Sequence, residues 1–224
     1  MKEHPILFST PMVQAILEGR KTQTRRIVKK DIPQNVTTID RYNKTGQFTL
    51  WDNRRIVSQI GESPYGKPGD LLWVRETWAK PLYTYFFKAE YSSPVLNRLT
   101  KGTWRPSIHM PKVAARIWLQ IEEVKVERLQ HISEEDIISE GVRIPVSEDN
   151  KVIYQLGVTH SALSFLPDGC FADGMPTPTQ KQVLTAFFTE LWVKINGIES
   201  WHENPWVWVV KFKVLSTTGK PEFN

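Results

Sequence analysis

The stretch Ile117-Trp118-Leu119-Gln120-Ile121-Glu122-Glu123-Val124-Lys125-Val126, followed after five residues by Ile132-Ser133-Glu134-Glu135-Asp136-Ile137-Ile138-Ser139-Glu140-Gly141, decides the fold class. In the first part Ile117, Leu119 and Ile121 alternate with Trp118 and Gln120, and Val124 and Val126 continue the period, so residues 113–127 read as one long or two short strands. The second part carries helix signals: Ser133 as N-cap, Asp136 at N3, an Ile132/Ile137 staple and Gly141 as the stop. A strand followed by a short helix, with no regular β-α-β rhythm along the chain, argues against a doubly wound sheet.

The same reading extends outward. Ser9 and Thr10 offer an N-cap, Pro11 suits the first turn, and Val13, Ile16 and Leu17 share a face before Gly19. Gly69-Asp70 turns into Leu71-Leu72-Trp73-Val74-Arg75-Glu76-Thr77-Trp78, a strand on its β-branched and aromatic content, with Arg75 on the face of Trp73 and Glu76 on the other. Thr179 to Ile195 is the strongest helix, its stripe of Val183, Leu184, Phe187, Phe188, Leu191, Trp192 and Ile195 reading as core. Trp206-Val207-Trp208-Val209-Val210-Lys211-Phe212-Lys213-Val214 predicts a strand buried on both faces at first and half-exposed later. Short helices among five or more strands predict an α+β fold or small barrel. Residues 31–68 read as an elaborated loop, and residues 143–178, rich in Gly, Pro, Ser and Asp, as an insertion and possible-lid segment within a single domain spanning 1–224.

Composition excludes several classes. At 40% hydrophobic and 24% charged residues the 224-residue chain has the makeup of a globular domain, not of a disordered or fibrous one. A lone Cys170 rules out an internal disulfide and a cysteine-based zinc site; no metal and no cofactor is implied. Without a signal-like leader or an apolar run near 18 residues, no membrane is expected as partner, and the cytoplasm is the expected location. All of the +5 net charge falls in residues 1–30, with seven basic and two acidic side chains, while the remaining 194 residues balance at 22 of each. Arg20 to Lys30 holds six cations and no anion, which suits an anionic partner or, more plainly, a solvated loop at a helix C-terminus.

Three constellations carry chemistry. In Gly19-Arg20-Lys21-Thr22-Gln23-Thr24-Arg25-Arg26 neighbouring cations disfavour the charged form of Lys21, so it suits a base, and Thr24 is a hydroxyl that an amine can activate for acyl transfer. Glu140, at a helix C-terminus where the dipole disfavours a carboxylate, suits the acid for a departing amine, and Glu76 is its rival. Trp104-Arg105-Pro106-Ser107-Ile108-His109 and Trp201-His202-Glu203-Asn204-Pro205-Trp206 combine π faces with hydrogen-bonding groups, as a pocket for an unstacked base does, although tryptophans also serve a core.

Taken together, Pro5-Ile6-Leu7-Phe8, the helix to Gly19, Gly19 to Thr24, and Ile132 to Gly141 resemble the ASCH domains of the PUA-like superfamily. Gly69 to Glu76, Trp104 to Pro111 and Trp201 to Trp206 resemble its longer phage and metagenomic subgroup, so the likeness spans segments 5–26, 69–78, 104–141 and 191–214. The resemblance implies a PUA-like β-barrel flanked by short helices and an amidohydrolase that cleaves the exocyclic amide of N4-acylcytidine-type nucleosides to cytidine and a carboxylate. It puts the nucleophile on Thr24, the base on Lys21 and the acid on Glu140. Trp73, Arg75, Glu76, Trp104, Arg105, Ser107 and His109 are then candidates to hold the base, with Arg25 or Arg26 near ribose, phosphate or the oxyanion. The partner is a small modified nucleoside, with RNA as a further partner. A non-catalytic RNA-binding module, or a ribonuclease using Lys21 and His109, is the alternative from the same residues.

Overall fold

The computed structural model describes residues 1–42, 47–80, 83–90, 104–142 and 179–222. Strand β1 (Glu3–Leu7) runs into helix α1 (Thr10–Leu17) and then β2 (Gln23–Ile27); β3 (Thr38–Tyr42), β4 (Gln47–Asp52) and β5 (Arg55–Gly61) follow. Next come β6 (Leu71–Arg75), β7 (Trp78–Ala79), β8 (Phe86–Phe87), β9 (Trp118–Arg128) and helix α2 (Glu134–Ser139). Helices α3 (Gln180–Asn196) and α4 (Ile198–His202) precede the final strand, β10 (Trp206–Ser216).

The main sheet has five strands in the order β1-β6-β9-β10-β2, parallel between β1 and β6 and antiparallel elsewhere. Alternation along β10 explains why this strand organises the molecule. Trp206, Trp208, Val210 and Phe212 enter the large core with α1, β1, β6 and β9, whereas Val207 and Val209 enter a second cluster with Ile137 of α2 and Leu184, Phe188 and Trp192 of α3. One strand thus holds two layers together. The fold is mixed α+β, and among the described residues the sheet does not close. Its edges are β1 and β2, which α1 joins across one face and which meet where Arg26 Nη2 donates to the Leu7 carbonyl at 2.8 Å.

Residues 38–61 correct the expectation of a loop. They form an antiparallel meander, β3-β4-β5, whose Ile39, Phe48, Leu50 and Ile60 join the main core. Short strands that each bury only one or two apolar residues, separated by Gly and Asn, leave little apolar signal in sequence, and Asn53 at φ 53° makes the turn between β4 and β5. Residues 143–178 lie outside the described residues.

The helix ends behave as their sequences dictate. Ser133 Oγ accepts from the Asp136 amide at 3.1 Å, and Thr179 forms a reciprocal capping box with Gln182. Gly141 ends α2 at φ 88°. A Cβ there would stand 2.9 Å from Ala15 Cβ and 3.1 Å from Lys21 Cβ, so only glycine lets the end of α2 approach the end of α1.

Candidate active site

The main chain brings Lys21 to Glu140. After α1, the Arg20 and Lys21 amides both donate to the Ala15 carbonyl, Lys21 forms an isolated antiparallel bridge with Glu140, and the Thr22 amide donates to the Ser139 carbonyl at 2.9 Å. Side chains complete the join. Lys21 Nζ donates to Glu140 Oε2 at 2.8 Å and to its carbonyl at 2.9 Å, across 119 residues of sequence, with Lys21 wholly buried. Burial pushes the Lys21 pKa below its ordinary value, against the pull of Glu140. Arg26 and Arg25 act in the same direction as burial but are lesser causes, so the neighbouring cations that sequence points to are not the main one.

Arg25 serves this pair. Its Nη1 donates to Glu140 Oε1 at 3.2 Å while Nη2 donates to Glu127 Oε1 at 2.5 Å and Asp136 Oδ2 at 2.7 Å. Lys125 Nζ closes the set on Glu127 at 2.9 Å and Asp136 at 3.5 Å. Three cations alternate with three carboxylates. Burial works against the Arg25 charge, and Glu140 and Glu127 outweigh it, holding its pKa above the ordinary value. The guanidinium therefore fixes Glu140 in place instead of standing free for a phosphate.

Thr24 lies on the opposite face of β2 from Arg25, beside Arg26. Its Oγ1, wholly buried, accepts from Arg26 Nη1 at 2.9 Å, not from Lys21. The Phe8 ring links the two halves, with Lys21 Nζ 5.7 Å and Arg26 Cζ 5.3 Å from its centroid. Glu140, Arg25, Arg26 and Ser107 line a cavity of about 490 Å³, within the 300–1,000 Å³ usual for small-molecule sites. Phe8, Met12 and the face of α3 carrying Phe188, Leu191, Trp192 and Ile195 form its apolar wall. Lys21 and Thr24 stand behind that lining, each hydrogen-bonded to a residue that faces the cavity.

The remaining candidates sit elsewhere. Arg75 donates to the Ile108 carbonyl and lies 5.5 Å from the Trp73 ring centroid, so it ties the short 3₁₀ turn Ser107–His109 to the end of β6. His109 is exposed, Trp104 is half-buried, and Arg105 stacks over Trp78 at 5.1 Å. Glu76 is buried against Arg116, with Oε1 to Nε at 2.9 Å and Oε2 to Nη2 at 3.0 Å, and does not line the cavity. Burial pushes its pKa up against that partner. The second aromatic constellation is core: Trp206 packs in the main cluster and Trp201 against the second.

Sequence reading missed Glu127, Asp136 and Lys125, whose only signal is alternation on β9 and a capping position on α2. It also missed that the α3 stripe divides, with Leu184, Phe188 and Trp192 packed in core while half-buried Leu191 and exposed Ile195 reach the cavity. Among the described residues no helix is long and apolar enough to cross a membrane, and no group of three or more His, Cys, Asp or Glu side chains is placed to hold a metal ion. No family model, curated protein or solved structure matches the chain.

Proposed function

We propose that the chain is an amidohydrolase acting on the exocyclic amide of N4-acylcytidine-type nucleosides, with the open five-stranded sheet as its version of the PUA-like barrel of ASCH domains. The observation that carries this reading is the wholly buried Lys21 Nζ at 2.8 Å from Glu140 Oε2 on the wall of a cavity. Burial disfavours the charged form of Lys21, and the mechanism uses the form of the pair with the shared proton on Glu140 and a lone pair on the amine. That form is an acid and a base ready for one amide.

Lys21 takes the Thr24 Oγ1 proton, and Oγ1 attacks the acyl carbon. Arg26, which already donates to that oxygen at 2.9 Å, exchanges the contact for the developing oxyanion and so uncovers the nucleophile. Collapse breaks the C–N bond as Glu140 protonates N4, giving cytidine and an acyl-threonine ester. Glu140, now a carboxylate, takes a proton from water, which attacks the ester; the carboxylic acid leaves and Lys21 returns its proton to Oγ1.

Incubation with N4-acetylcytidine, with cytidine followed by chromatography, tests the reading. Thr24→Ala is expected to lower kcat/KM by about 10⁴-fold or more, over 5 kcal/mol of transition-state stabilisation. Undiminished turnover in that variant removes the nucleophile, and absence of turnover by the unmutated chain removes the enzyme. Binding of single-stranded RNA that weakens steeply with salt, without hydrolysis, marks the RNA-binding module instead.

A further inference from the structure

The lining of the cavity beside Glu140 falls into two chemically different groups. The polar group includes Glu140, Arg25, Arg26, Ser107 and Thr77, while α3 supplies Phe188, Leu191, Trp192 and Ile195 at helical spacings of three and four, followed by Asn196, whose amide is turned back to the Trp192 carbonyl at 3.3 Å. The four apolar residues of α3 do not do the same work. Phe188 and Trp192 are buried in the cluster against β10, whereas Leu191 is half-buried and Ile195 is 53% exposed, a large aliphatic side chain left open to the cavity. Met12 of α1 and Phe8 continue the apolar surface. Such a wall has no use for the ring nitrogens, carbonyl or ribose hydroxyls of a nucleoside, which need hydrogen-bonding partners when desolvated.

We propose that the α3 wall is a subsite for an apolar acyl group larger than acetyl, so that the chain selects nucleosides N-acylated with medium-length aliphatic chains. The inference rests on the amidohydrolase reading for the position of the amide. With N4 at Glu140, the cytosine and ribose meet the polar lining and the acyl chain extends along Leu191 and Ile195. Each methylene buried there multiplies the specificity constant by about fourfold, from about 0.8 kcal/mol apiece, with partial burial lowering the sum over a chain.

The test compares N4-acetylcytidine with N4-hexanoylcytidine on the full chain and on two separate variants, Leu191→Gln and Ile195→Gln, the second at a site exposed enough to spare folding. The expected result is a kcat/KM tenfold or more higher for hexanoyl than for acetyl, with that ratio falling to about threefold or less in either variant. Turnover of both substrates with no chain-length preference, or a preference that neither variant reduces, overturns the subsite and leaves the amidohydrolase standing. Where neither compound turns over, calorimetric titration reads the same series as Kd. Tightening with chain length that either variant abolishes upholds the subsite while the hydrolase reading falls, and Kd values independent of chain length overturn both.

Discussion

Glu76 and Glu140 are each buried against an arginine, and their surroundings differ in whether a proton can move. Glu76, 1% exposed, meets Arg116 through both oxygens, Glu90 takes the third side of the same guanidinium, and the Phe87 ring lies 4.3 Å from Arg116 Cζ. Glu76 does not line the cavity beside Glu140. Glu140 is held by Arg25 through one oxygen, gives the other to a buried lysine, and faces a cavity. A guanidinium remains charged in a protein, so the first pair has no proton to move, whereas an amine and a carboxyl can trade one. The first centre stabilises packing; the second is suited to acid–base work.

Removing the proton separates the two centres most sharply. Glu140→Gln keeps the shape of the side chain and deletes the acid, so kcat/KM for N4-acetylcytidine is expected to fall by about 10²- to 10⁴-fold, the usual range for a general acid. A loss under tenfold in steady-state kinetics contradicts the assignment of Glu140. Arg116→Met is the matched change at the other centre. It strands Glu76 in apolar surroundings, with an expected stability loss of about 3–5 kcal/mol in urea unfolding. The variant that remains folded is expected to hydrolyse at the unmutated rate, and a selective loss of kcat in it would join the two centres.

Much of this architecture is legible in the residues themselves, because it depends on local signals. The period along Trp206–Phe212, the Ser133 cap and the Gly141 stop each report on a few neighbours, and each element stands where they put it. The helix over Thr179–Ile195 is found over Gln180–Asn196. The charge run Arg20–Lys30 is the opposite case. Its local excess looks like a phosphate-binding patch, yet Arg25 answers Glu140, Asp136 and Glu127, which lie 115, 111 and 102 residues further along the chain. Charge complementarity across such distances leaves no periodic trace, so sequence shows where the cations are and not what they neutralise. The meander of residues 38–61 escaped for a related reason: its contribution to the core is a few alternate residues that only pairing brings onto one face.

Gly141 shows how closely the Lys21–Glu140 contact depends on backbone geometry. In Gly141→Ala the new Cβ meets Ala15 Cβ at 2.9 Å and Lys21 Cβ at 3.1 Å, at a φ of 88° that side chains rarely adopt. Left-handed strain and overpacking together are expected to cost about 2–4 kcal/mol, measured as a lowered Tm. Since relief comes from moving α2 away from Lys21, kcat in the folded variant is expected to drop as well. A variant with the unmutated Tm and kcat would show that α1 and α2 approach less tightly than the Gly141 contacts require.

The smallest effect is one of pH: the lowered pKa values of Asp136 and Lys21 both make stability rise with pH, the first as a stabilisation lost in acid and the second as a destabilisation relieved in alkali. Burial works against the Asp136 charge, but the Arg25 and Lys125 cations outweigh it and hold its pKa below the ordinary value of about 3.9. In that case the unfolded chain binds the proton more readily, so the stabilisation from Asp136 is complete above about pH 4 and is lost as pH falls through the lower folded value. Lys21 is also shifted down, by burial, and for a cation this means a destabilisation at low pH that is relieved as pH rises toward about 10.4. Asp136→Asn is therefore expected to reduce unfolding free energy by about 1.5 kcal/mol at pH 7, the scale of one hydrogen bond to a charged group, with the gap to the unmutated chain shrinking below pH 4. Lys21→Met should flatten the rise in stability as pH climbs toward about 10.4. A gap for Asp136→Asn that widens in acid would mean that Arg25 draws its charge compensation from Glu127 and Glu140 without Asp136, and the alternation of three cations with three carboxylates would then not be what holds Glu140 at the cavity.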